Sequence, residues 1–140
     1  LPWRSSGKIP EIQLMELNKL SQDARLADRR VFIMTHYAPL LENGKKDSWR
    51  HGLENVDTFL LSCAEFEEAV ILCGHVHRCY HVIDRTTGEA IFCAGSATLE
   101  AKEGFWLFDT RGSAIWATEG LWNGRRYELN EDGAFKIMDQ

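Results

Sequence analysis

The sequence lacks the features that mark membrane-spanning and disulfide-stapled proteins. Its 140 residues include only three prolines and four cysteines. No apolar run approaches the roughly 20 residues that a membrane-spanning helix needs, so we expect no membrane partner. The cysteines show neither a CxxC spacing nor the density of a disulfide scaffold. We therefore predict reduced thiols in a cytoplasmic protein.

Positive charge is also scarce. Sixteen Lys and Arg stand against 21 Asp and Glu, which gives a formal net charge of −5. This balance argues against a nucleic acid held by general electrostatic attraction. What the chain does contain is 44% hydrophobic residues, with five Trp and seven Phe. That content is enough for one packed domain over residues 1–140.

The hydrophobic pattern predicts an α/β fold. Up to residue 73, segments with apolar residues at helical spacing are separated by short, wholly apolar runs. From residue 80 onward, apolar residues recur at every second position. The predicted elements are helix 10–27, buried strand 31–35, helix 53–66, buried strand 69–73, hairpin strands 80–83 with 90–93, hairpin strands 104–109 with 114–118, and a short last strand 127–129. The first two strands need a crossover, so we expect them to be parallel, with the second helix on one face of the sheet.

Three histidines follow the two buried strands. His36 comes directly after residues 31–35 (VFIMT), and His75 and His77 follow residues 70–74 (VILCG). The carboxyl ends of adjacent parallel strands meet at one edge of a sheet, about 5 Å apart, so we expect these imidazoles to converge. Imidazole is a common ligand for manganese, iron and zinc. The pattern predicts part of a metal site.

Two motifs around these histidines resemble a known family. Residues 35–39 (THYAP) and 74–77 (GHVH) are similar to the last two signature motifs of the calcineurin-like metallophosphoesterases. The resemblance implies a sandwich of two mixed sheets with helices outside. It implies two divalent metal ions (manganese, iron or zinc), with His36 and His75 on one ion and His77 on the other. It also implies a phosphate-ester substrate, a phosphomonoester or phosphodiester, hydrolysed by a hydroxide that bridges the two ions.

The family's amino-terminal metal motifs are missing from the chain. It contains no Asp-x-His, no Gly-Asp and no Asn-His. With the start at Leu1, this leads us to expect the carboxyl-terminal portion of a phosphoesterase domain, whose partner is the missing amino-terminal half. Three imidazoles are too few for two ions, so the chain alone should bind metal weakly and turn over little. The alternative is a non-catalytic truncated domain that binds a partner or serves as a scaffold.

The irregular segment 36–52 carries further candidates. A loop leading away from a metal ligand is a natural place for substrate contacts. The guanidinium of Arg50 could form bidentate hydrogen bonds to a phosphate group, and His51 could act as a general acid. The plainer interpretation is a solvated loop with Trp49 packed on the core.

A second arrangement involves the cysteines around the GHVH loop. Cys73, His75, His77 and Cys79 lie within seven residues, and Cys and His are the preferred ligands of zinc. We disfavour a structural zinc site because Cys73 continues a buried apolar run, which should turn its sulfur into the core. His81 falls within an alternating strand pattern and is expected to be an ordinary strand residue.

Overall fold

Residues 3–139 are described by the structure, a computed structural model, with only the backbone given for Met138 and Asp139. Two α-helices precede or separate the first strands, and the later part of the described chain is built from strands. In chain order the elements are α1 (Glu11–Ser21), β1 (Val31–Met34), α2 (Val56–Cys63), β2 (Ala69–Cys73), β3 (Tyr80–Ile83), β4 (Ala90–Cys93), β5 (Phe105–Asp109), β6 (Ala114–Trp122), β7 (Tyr127–Leu129) and β8 (Phe135–Asp139).

The first sheet has the order β1-β2-β4-β3. β1 pairs with β2 and β2 pairs with β4 in parallel, whereas β3 and β4 form an antiparallel hairpin. The hairpin turns at Gly88, whose φ of +83° suits a residue without a side chain. The predicted parallel pairing of the first two strands and the predicted hairpin are both confirmed.

The second sheet packs against one face of the first. It has the order β5-β6-β7, with β8 paired to another part of β6. Alternate residues of the first sheet, such as Val70 and Phe92, meet Ile115 and Ala117 of the second in one apolar cluster. The intervening residues, such as Ile71, pack beneath α1 and α2 in the other cluster. The expected two-sheet sandwich with helices outside and antiparallel hairpins is confirmed.

Both helices are shorter than predicted. The first ends at Ser21 rather than 27, because the carboxylate of Asp23 accepts the backbone N–H of Arg25 and starts a separate 3-10 turn over Ala24–Leu26. The second begins at Val56 rather than 53. Its preceding residue, Asn55, bonds both backbone groups of Ile9 through its side-chain amide, which holds Asn55 in a non-helical conformation (φ −107°, ψ 47°).

Three strands also differ from the sequence-based expectation. β1 is an edge strand and is only half-buried, with Met34 81% exposed, so the predicted buried strand there is wrong. β6 extends to Trp122, beyond the predicted end at 118, because β5, β7 and β8 all pair with it. β8 was not predicted, although Phe135 and Ile137 alternate with polar residues. No helix among residues 3–139 combines the length and the apolar character needed to cross a membrane.

Candidate metal centre

The parallel ladder of β1 and β2 continues beyond the two strands and brings two histidines together. The N–H of Thr35 donates to the carbonyl of Leu72 (3.0 Å), and the N–H of Gly74 donates to the carbonyl of His36 (3.2 Å). As a result, Nε2 of His36 lies 3.1 Å from Nδ1 of His75, and the ring centroids are 5.0 Å apart. The predicted convergence at this sheet edge therefore holds for His36 and His75.

The second ring nitrogen of His75 defines its tautomer. Nε2 of His75 lies 2.9 Å from the backbone carbonyl oxygen of His51. A carbonyl can only accept, so Nε2 carries the proton and a neutral His75 presents the lone pair of Nδ1 towards His36. Burial lowers the pKa of His75 below its ordinary value of 6.5, and the neighbouring imidazoles of His51 and His36 also lower it. His75 is therefore neutral at pH 7, the form that binds metal.

The third imidazole in contact with this pair belongs to His51. Its ring centroid lies 4.2 Å from that of His75, and its Nδ1 lies 2.5 Å from Oδ2 of Asp47. Burial would raise the pKa of Asp47, but hydrogen bonds from His51 and from the N–H of Ser48 outweigh it and lower the pKa. Gly52 permits this packing, because a Cβ there would stand 2.8 Å from Cβ of Asp47.

From the sequence, Asp47 is a weaker candidate than Arg50 and His51, and Tyr37 is a candidate only as a hydrogen-bond partner of a metal-bound histidine. Asp47 and His51 are spaced i, i+4 on one turn, a spacing that brings side chains into contact and was available in the sequence. The ring of Tyr37 lies 4.6 Å from that of His75. A Cβ on Gly7 would lie 2.1 Å from the Tyr37 ring, a long-range contact that no local pattern indicates.

His77 lies apart from the pair. Its φ is +54° and that of His75 is +67°, left-handed values that are uncommon for residues with a side chain. The side chain of His77 is exposed, and none of the hydrogen bonds or ring contacts within residues 3–139 involves it. In the same range, no group of three or more His, Cys, Asp or Glu is placed to hold an ion. The assignment of His36, His75 and His77 as metal ligands stays a prediction.

The other candidates of the 36–52 segment lie at the surface. The guanidinium of Arg50 stacks on the ring of Trp49 at 5.0 Å, and that of Arg4 does so at 5.5 Å. Trp49 is 64% exposed, so it does not pack on the core as the plainer interpretation expected. His81 is an exposed residue of β3 whose ring contacts those of Phe92 and Phe135, so it is a strand residue, as predicted.

The cysteines do not form a zinc site with the loop histidines. All four are free thiols, and the thiol of Cys73 points into the strand layer, where it donates to the carbonyl of Phe92 (3.5 Å). Cys79 is directed instead towards the carbonyl of Phe105 (3.8 Å). These contacts agree with the structural role that the apolar run of β2 predicted for Cys73.

The spacing of the histidine nitrogens suits a shared ion. At a metal–nitrogen distance of about 2.05 Å, two ligand atoms lie about 2.9 Å apart at a right angle and about 3.3 Å apart at a tetrahedral angle. The 3.1 Å between His36 Nε2 and His75 Nδ1 falls between these limits. Beside the pair runs a groove of about 440 Å³ whose wall includes Asp47 and His51. The arrangement offers two ligand nitrogens, and the adjacent groove has Asp47, His51 and Arg78 in its lining.

Comparisons with known proteins give a distant structural likeness. No protein-family model matches the chain, and no curated protein does either. A solved structure of wild-type Vps29 from Entamoeba histolytica complexed with Zn²⁺ has a TM-score of 0.45 and 14% identity, covering 99% of this chain and 94% of that chain. A double mutant of the same protein gives 0.43 and 12%, covering 97% and 93%. The description of the fold rests on the strands and sheets of the chain itself.

Proposed function

We propose that this chain is the metal-binding, carboxyl-terminal part of a metallophosphoesterase-type hydrolase that cleaves phosphomonoesters or phosphodiesters. The observation that carries the proposal is the 3.1 Å approach of His36 and His75 at the adjoining ends of two parallel strands. Both residues belong to the motifs THYAP and GHVH that resemble the family. The sequence motif and the local geometry therefore support the same chemistry.

The donor set fits a manganese, iron or zinc ion, because neutral imidazole nitrogens suit these metals. His36 and His75 would hold one ion, and we assign His77 to a second. When bound, such ions lower the pKa of water and neutralise charge on phosphoryl oxygens. Two nitrogens are fewer than the three protein ligands that zinc usually has, so we expect further ligands from an amino-terminal half.

Residues beside the pair supply the remaining functions. Asp47 accepts the Nδ1 proton of His51 and fixes its ring, so that the other ring nitrogen is the one available to exchange a proton with a leaving oxygen. Arg50 is exposed and stacked only on Trp49, which leaves its N–H groups available for a phosphate oxygen. We retain His51 as the candidate acid and Arg50 as the candidate phosphate ligand.

Calorimetric titration of manganese and zinc into the chain tests the metal site. We expect weak binding, with dissociation constants well above micromolar, because the ligand set is incomplete. His75→Ala should weaken it at least tenfold further. The matched control is His81→Ala, which removes an exposed imidazole on β3 and should leave metal binding unchanged. Micromolar binding of two ions by the chain alone, or equal binding by His75→Ala, would refute the proposed site.

A non-catalytic domain is the second candidate function. Two observations favour it: the absence of a three-ligand group within residues 3–139, and an exposed apolar face on the second sheet. We call this the outer face; it comprises Leu107, Trp116, Trp122, Tyr127 and Leu129. Hydrolysis of a chromogenic phosphodiester with manganese by the full gene product would decide for the enzyme. Its absence, together with stable capture of a protein partner, would decide for the scaffold.

A further inference from the structure

Two buried cysteines lie side by side under the histidine loop. Cys73 and Cys93 are the last residues of β2 and β4, are paired in the parallel register, and are 8% and 0% exposed. The adjacent Cys93 thiol, together with burial, raises the pKa of Cys73, whereas the adjacent Cys73 thiol lowers the pKa of Cys93. Neighbouring parallel strands are about 4.8 Å apart, within the range of about 4.4–6.8 Å between the Cα atoms of a disulfide.

This pair is directly connected to the candidate metal centre. The thiol of Cys93 donates to the carbonyl of Gly74 at 3.3 Å. The N–H of Gly74 donates to the carbonyl of His36, and His75 is the next residue. One residue, Gly74, thus links Cys93 to both histidines of the pair.

We propose that Cys73 and Cys93 form a reversible disulfide in the presence of hydrogen peroxide, and that this bond displaces Gly74 and separates His36 from His75. The regulatory meaning of the step, a loss of metal binding, rests on the proposed function. The disulfide and the movement of the histidines do not.

Hydrogen peroxide can oxidise the two thiols to a disulfide in two steps. One sulfur attacks a peroxide oxygen, the O–O bond breaks, and a sulfenic acid and one water form. The second thiol attacks the sulfenic sulfur, so the S–S bond forms, the S–O bond breaks and a second water leaves. Two thiols are oxidised, one peroxide is reduced, and both thiol protons end in water. A thiol reductant reverses the step by exchange.

Movement of the loop follows from the geometry. The Cβ atoms of a disulfide lie about 3.8 Å apart, closer than the spacing of paired residues on neighbouring strands, so the two strand ends must approach each other. The hydrogen bond from Cys93 to Gly74 is also lost, because the sulfur no longer carries a proton. Gly74 therefore loses the hydrogen bond that joins its carbonyl to β4.

The other two cysteines provide internal controls. Cys63 lies on α2, which is not part of either sheet. Cys79 immediately precedes Tyr80, and Tyr80 pairs with Cys93 of β4. Because successive side chains of a strand alternate between its faces, the Cys79 side chain points to the opposite face of the sheet from the Cys93 thiol. Neither thiol is in register with a cysteine on a neighbouring strand.

The test treats the full chain with hydrogen peroxide and measures its intact mass. We expect a loss of about 2 Da that dithiothreitol restores. Trypsin with a Glu-specific protease separates all four cysteines, because Glu65 to Glu68, Arg78 and Arg85 lie between them. The linked peptides should contain Cys73 and Cys93. NMR of the imidazole groups should show the His36 and His75 signals shifting in the oxidised protein.

Variants and metal binding complete the test. Cys73→Ala should abolish both the mass change and the imidazole shifts, whereas Cys79→Ser should retain them. Manganese affinity of the oxidised wild type should fall at least tenfold. The wild type alone can overturn the proposal. It does so if oxidation produces no Cys73–Cys93 link, or if the link forms and the imidazole signals do not change. Failure of the reduced protein to bind manganese counts against the proposed function alone, since mass and imidazole readouts still decide the disulfide.

Discussion

At the scale of single residues, contacts at both ring nitrogens fix the orientation of the His75 side chain. One ring nitrogen faces His36, the other donates to the carbonyl of His51, and its backbone occupies the left-handed region. A non-glycine residue in that region costs of order 1 kcal/mol and persists only where surrounding contacts hold it. The contacts from His36 and His51 supply that restraint. The arrangement keeps Nδ1 of His75 oriented towards His36 in the absence of metal.

The Asp47–His51 pair gives a pH-dependent prediction. Asp47→Asn should reduce the free energy of unfolding by about 1 kcal/mol at pH 7, because Asn cannot offer His51 a charged acceptor. The lowered pKa of Asp47 means that its contribution is present above the ordinary value of 3.8 and is lost as pH falls through the folded-state pKa. Urea denaturation should show a larger difference between variant and wild type at pH 7 than at pH 3.

The matched control for this pair is Asp57→Asn. Asp57 pairs with Lys46 at 2.6 Å, but its side chain is 74% exposed, so its removal should change stability little at either pH. An Asp47→Asn variant as stable as wild type at pH 7 would contradict the role given to the pair.

At the scale of secondary-structure elements, the sequence predicts what local patterns determine. The bounds of β2, β3, β4 and β7 match the prediction, because a strand-breaking residue follows each run: Gly74, Asp84 and Asn130 directly after β2, β3 and β7, and Gly95 two residues after the end of β4. The helix ends do not match, since Asp23 and Asn55 act through side-chain bonds to backbone groups. Asn55 in particular bonds Ile9, 46 residues away, and no local pattern contains that information.

The same limit applies to the candidate site. His36 and His75 could be placed together because two buried runs and a crossover imply adjacent parallel strand ends. The contact of His51 with His75 depends on the path of an irregular loop, and periodicity does not determine that path. The left-handed backbone of the GHVH loop likewise depends on tertiary contacts.

The β3–β4 hairpin carries a buried acid that should make its stability depend on pH. Burial, with the carboxylate of Asp84 nearby, raises the pKa of Glu89 to about 7. Below the ordinary value of 4.5, Glu89 is protonated in both the folded and the unfolded state. As pH rises from 4.5 through about 7, the unfolded state releases the proton first, so stability is lost.

Glu89→Gln removes this titration. We expect the variant to be more stable than wild type by about 1–3 kcal/mol at pH 8 and of similar stability at pH 4. Chemical denaturation at the two pH values measures the difference, with Glu100→Gln, an exposed residue, as the control. A variant that is less stable than wild type at pH 8 would show that the ionised carboxylate is well accommodated.

At the scale of the whole molecule, the two sheets divide the apolar residues into two clusters and leave a third set exposed. Ile115 and Ala117 of β6, which face the first sheet, are buried and Trp106 and Phe108 of β5 pack on them, whereas the outer face presents two tryptophans, a tyrosine and two leucines that are each 39–47% exposed. Register pairs such as Trp122 with Tyr127 make this set contiguous, and their rings touch at 5.2 Å. Contiguous apolar surface of this kind promotes association.

We therefore expect the chain to self-associate in a concentration-dependent way and to bind an environment-sensitive apolar dye. Replacing Leu107, Trp116 and Leu129 with threonine should shift size-exclusion elution towards the monomer and reduce dye fluorescence several-fold, because threonine keeps the strand propensity while removing apolar area. Trp49→Thr is the control, since Trp49 is 64% exposed but lies on the 36–52 segment outside this face. A wild-type chain that elutes as a monomer at all concentrations and binds no dye would contradict the expected association through the outer face.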